Sequence, residues 1–69
     1  MNRNLAFIKN LAARLAKEWV EDGNREAIFD LREMSGPEGA VFAMEMTRHL
    51  MQRDARMAFT FVAAVEEMV

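Results

Sequence analysis

Apolar residues recur at helical spacing almost from the first position, and the first such segment runs from about 4 to 22. At ~100° per residue, Leu5, Ile8, Leu11, Ala12, Leu15 and Trp19 fall on one face. Arg3, Asn10, Arg14, Lys17 and Glu18 fall on the other, the pattern of an amphipathic helix. Asn2 or Asn4 can cap its start. Asp22-Gly23-Asn24 ends it, with Gly23 free to take the left-handed terminating conformation.

A second helix is predicted over about 25–34, capped by Asn24. Ala27, Ile28, Leu31 and Met34 share its apolar face, while Phe29 sits among the polar residues. A helix this short does not survive without tertiary packing. Ser35-Gly36-Pro37-Glu38-Gly39 breaks the chain again and reads as a helix start. Proline suits a first turn that lacks donors to lose, and a carboxylate suits the positive end of the helix dipole.

Residues 37–68 form the third predicted segment, with no glycine or proline from Ala40 to Met68. Ala43, Met46, Leu50, Met57, Phe61, Ala64, Val65 and Met68 hold one face of the wheel. Glu45, Arg48, His49, Gln52, Arg53, Arg56, Glu66 and Glu67 hold the other. Two readings are open. Asp54 could cap a new helix after a turn at Gln52-Arg53, or it could lie on a continuous seam between Leu50 and Met57 as a polar register residue. A turn normally resets the phase and none is visible, so one long helix is favoured, ~45 Å in length at about 1.5 Å per residue. Its apolar arc is about 160° wide, against ~100° for a helix with one buried stripe. Surplus length and width both call for a second chain. The expected architecture is therefore all-α. A single three-helix domain over 1–69, with a long C-terminal helix open to a split near Asp54, assembles as a helical homodimer or within a complex.

Composition sharpens this picture. A 69-residue chain makes one domain and buries only about 60% of its unfolded surface, so it needs a staple. Cysteine is absent, which removes disulfides and thiolate zinc sites, and oligomerisation or close helix packing remains. With 52% apolar and 29% charged residues the chain is not disordered by composition. No apolar run approaches the roughly 20 residues of a membrane span, and no signal-peptide core opens the chain, so a cytoplasmic location is expected.

Candidate chemistry is sparse. Five of the seven methionines lie between Met44 and Met68. Such side chains fill cores but also make adaptable contact surfaces. Met44 and Met51 sit toward the edge of the stripe. Phe29, Phe42 and Phe59 fall outside their helices' main stripes, and Val41 joins Phe59 on one side. Together with Phe61 these form the expected protein-contact set, since an aromatic anchor buries a large area at an interface.

The alternative is a nucleic-acid regulator that tracks phosphates with Arg48, Arg53 and Arg56 beside His49. A net charge of −2 and the neighbouring Glu45 and Asp54 favour a solvated face instead. Glu45 and His49 share a helical turn, but a second carboxylate for a metal site is missing. Ser35, the only serine, fits a cap better than a nucleophile, and no phosphate loop or nucleophile elbow is present. The expectation is a non-catalytic interaction module, an adaptor, subunit or inhibitor, without cofactor or metal. Its partner is another protein.

Overall fold

The computed structural model describes residues 4–68. These are all-helical, with α1 Leu5–Asp22, α2 Glu26–Glu33, α3 Gly36–Arg53 and α4 Ala55–Glu67. Asn2 and Arg3 lie outside the described residues, and the cap of α1 is Asn4, whose Oδ1 accepts from the Phe7 N–H at 2.7 Å. Gly23 ends α1 at φ 68°, and its N–H returns to the Glu18 carbonyl. Asn24 links the two ends: its Nδ2 donates to Glu18 Oε1 at 2.9 Å, and its Oδ1 accepts from the Glu26 N–H at 2.8 Å. Ser35 and Glu38 form a reciprocal capping box at the start of α3, with Pro37 in the first turn.

The long third helix of the sequence reading is instead two helices, hinged at one residue. Asp54 has extended backbone, φ −161° and ψ 104°, and serves both helices. Its N–H donates to the Leu50 carbonyl at 2.7 Å, the last helical bond of α3. Its carbonyl accepts from Met57 and Ala58, and its carboxylate accepts from the Arg56 N–H at 3.0 Å. The carboxylate is thus an N-cap and not a seam residue. α4 turns back beside α3, so that Val65 near its end comes level with Ala43. The principal extents of 31 × 25 × 17 Å are accordingly shorter than the single helix expected.

The core forms where α1, α3 and α4 meet: Ile8, Ala12, Leu15, Ala16 and Trp19 from α1, Phe42, Met46 and Leu50 from α3, Ala58 and Phe61 from α4. Trp19 meets Phe61 edge-on, with ring centroids 5.5 Å apart at 85°. The guanidinium of Arg25 lies 4.1 Å from the Trp19 ring and donates to the Trp19 carbonyl at 3.1 Å. Glutamate 21 and Arg53 bring the C-terminal ends of α1 and α3 together at 3.6 Å. α2 closes one end of the domain through Ala27, which is buried, and Leu31. Gly39 permits that approach, because a Cβ there would stand 3.3 Å from Leu31 Cδ1. Among the described residues no helix is long and apolar enough to cross a membrane.

Candidate interaction surface

The hairpin made by α3 and α4 has two sides. Its inner side is core. Phe42 and Phe61, expected at a protein interface, are both 0% exposed and belong to this inner side. The reason is that α3 is flanked by both α1 and α4, with α2 against its first turns. Phe42, Met46 and Leu50 are spaced i, i+4 and i+8 and enter the core, so much of the wide apolar arc is covered by α1 and α4. Val41 is half-buried against the same core.

The outer side carries what remains. Met44 is 63% exposed and Phe59 70%, and Met51 and Val62 are exposed as well. Met44, Arg48 and Met51 follow at i, i+4 and i+7 on α3, while Phe59, Val62 and Glu66 follow at i, i+3 and i+7 on α4. Between the two helices runs an open, mainly apolar groove of about 460 Å³. Ala43, Met44, Thr47 and Arg48 form one wall, and Phe61, Val62, Val65 and Glu66 form the other. Met51 and Phe59 continue the two outer faces toward the hinge. A second concavity of about 920 Å³, between the end of α2, the start of α3 and the end of α4, shares Ala43 and Val65 with the first. The apolar surface is therefore continuous across the hairpin.

Of the expected contact residues that stay exposed, Met44 lines the groove, while Met51 and Phe59 stand on the same two helices nearer the hinge. Phe29 is exposed on α2, apart from the groove, with the Arg32 guanidinium 6.0 Å from its ring. Val62 was not singled out in the sequence, although its i+3 spacing from Phe59 carried the signal. Leu5, assigned to the buried stripe of α1, is half exposed in the first turn, as is Phe7.

The arginines are distributed by the hinge. Arg48 Nη2 donates to Glu45 Oε1 at 2.7 Å, Arg53 lies 3.6 Å from Glu21, and Arg56 lies 3.7 Å from Asp54. Arg56 stands beyond the turn on α4, so the three do not form one stripe on one helix. Glu45 is the one buried acidic residue among those described, 7% exposed at the edge of the core. The Arg48 hydrogen bond holds its carboxyl below the usual 4.5, outweighing the opposite push of burial, with help from the charges of Arg48, Lys9 and His49. His49 Nε2 stands 3.8 Å from the same oxygen. Among the described residues no cluster of three or more histidines or acids is placed to hold a metal ion.

Compared with models of known protein families, with curated proteins and with solved structures, the chain matches none of them.

Proposed function

We propose that this protein is a small non-catalytic protein–protein interaction module, an adaptor, subunit or inhibitor, that docks through the outer face of the α3–α4 hairpin in a cytoplasmic setting. One observation carries the reading: exposed Met44 and Val62 line the apolar groove from its two walls, and exposed Met51 and Phe59 follow them at i+7 and i−3 on the same two helices. Single exposed apolar residues need no explanation, whereas a contiguous patch marks a contact surface. Methionine supplies adaptable contact and phenylalanine a rigid anchor.

Cross-linking and affinity capture from the native cell, comparing wild type with a Met44→Ser/Phe59→Ser variant, test this. Both side chains are solvent-facing, so the variant is expected to keep its helicity and thermal midpoint while losing the captured protein. Identical capture by both forms would exclude the hairpin face as the docking surface.

A further inference from the structure

The two walls of the groove run antiparallel from the hinge at Asp54, so Arg48 and Val62 stand at its hinge end, six residues before and eight after that residue, and Met44 and Glu66 stand at its far end, ten before and twelve after. The groove is therefore charged along one diagonal and apolar along the other. Arg48 stands at one corner and Glu66 at the opposite corner, on different helices. Met44 and Val62 occupy the remaining two. A patch that recognises itself across a two-fold axis must carry complementary groups in symmetry-related places. This one does. Rotation about an axis along the Met44–Val62 diagonal exchanges the two charged corners and leaves each apolar corner facing its own copy.

We infer that the occupant of the groove is a second copy of this chain, crossed over the first, with Arg48 of each chain paired to Glu66 of the other. The inference rests on the reading of the hairpin as an interaction surface and names its partner. Glu66 lies in the last turn of α4, which has no basic residue, and makes no ion pair among the described residues. A carboxylate there opposes the negative end of the helix dipole, and a cation from outside the chain relieves it. Arg48 keeps the capacity to serve, because Glu45 engages one of its nitrogens while its side chain remains 56% exposed. The apolar diagonal supplies burial, and the charged diagonal sets register and orientation. A standard interface takes about 800 Å² from each partner. That is roughly a sixth of the 4562 Å² of accessible surface, the scale of one broad face.

The test is sedimentation velocity on the purified full chain, with charge-reversed variants alone and mixed. Wild type is expected at twice the mass of the 7.9 kDa chain. Arg48→Glu alone sets glutamate against glutamate, and Glu66→Arg alone sets arginine against arginine. Each reverses two pairs per dimer and is expected to weaken self-association about tenfold or more. An equimolar mixture of the two variants restores both pairs and is expected to dimerise. Glu66→Arg touches no described intrachain partner, so it remains informative if Arg48→Glu disturbs Glu45. A monomeric wild type overturns the inference, as does a dimer unmoved by Glu66→Arg or a mixture that stays monomeric. A monomeric wild type that still loses a captured protein through Met44→Ser/Phe59→Ser overturns self-docking alone and leaves the broader proposal standing.

Discussion

Trp19 is the largest of the fully buried side chains, and its indole Nε1–H has no protein hydrogen-bond partner among the described residues. A buried indole N–H ordinarily finds an acceptor or reaches the edge of the core, and here the fold provides neither. An unpaired buried donor of this kind costs about 1–3 kcal/mol. Contacts with Phe61 and Arg25 offset it. Trp19→Ala should therefore lower stability by about 3–5 kcal/mol, comparable with the whole stability of a small domain. Loss of the cooperative thermal transition is the expected readout. At Asp54 the cap geometry predicts that Asp54→Leu costs about 1 kcal/mol, a fall of about 4–8 °C in Tm for a domain this size. The leucine variant should keep the oligomeric mass of wild type, because the carboxylate faces the first turn of α4 and not a seam.

At the scale of the element, the Glu45 carboxylate on α3 predicts a dependence of stability on acid pH. The Glu45 carboxyl is depressed below 4.5 by Arg48, so the folded state binds its proton less readily than the unfolded chain does. Its contribution is fully present above about pH 4.5 and is lost as pH falls through the depressed value. Thermal midpoints across that acid range should fall more steeply for wild type than for Glu45→Gln, which removes the titration. The end of α1 offers a second check. Gly23 holds φ 68°, a conformation that costs an L residue about 1–2 kcal/mol, so Gly23→Ala should lose about that much in denaturant unfolding. Both helix breaks that the sequence marked with glycine or proline stand where expected. The third, at Asp54, carried only a capping residue, and the hydrophobic phase ran through it unchanged. One hinge residue removes nothing from the count, and both α3 and α4 bury toward the same core.

For the whole molecule, the inner face of the hairpin is core and the outer face is open, so stability and the proposed association can be varied separately. If a second copy docks on the outer face, the thermal midpoint should rise with protein concentration, because association stabilises only the folded chain. Calorimetry across a dilution series reads this directly, and a midpoint independent of concentration would count against assembly. Phe59→Ser should leave the midpoint of the dilute protein within about 0.5 kcal/mol of wild type in stability terms. It should also flatten the concentration dependence.

The sequence by itself determined the helical character, the breaks at Gly23 and Ser35–Gly39, the helix start at Ser35 and the buried stripe around Trp19. All of these are local: capping chemistry, glycine conformation and a face repeated every turn act between residues a few positions apart. The tertiary structure alone decided that Phe42 and Phe61 lie inside, that Glu45 is shielded beside Arg48, and which exposed side chains share a groove. A helical wheel gives each side chain an angle about its own axis but not the number of neighbours around that axis, and α3 has α1 on one side and α4 on another. The hinge follows the same logic. A cap is worth about 1 kcal/mol, too little to choose between a continuous and a broken helix. Folding α4 back places Phe61 and Ala58 in the core, each large apolar side chain adding about 1.5–3 kcal/mol of burial, and that long-range gain settles where the chain turns.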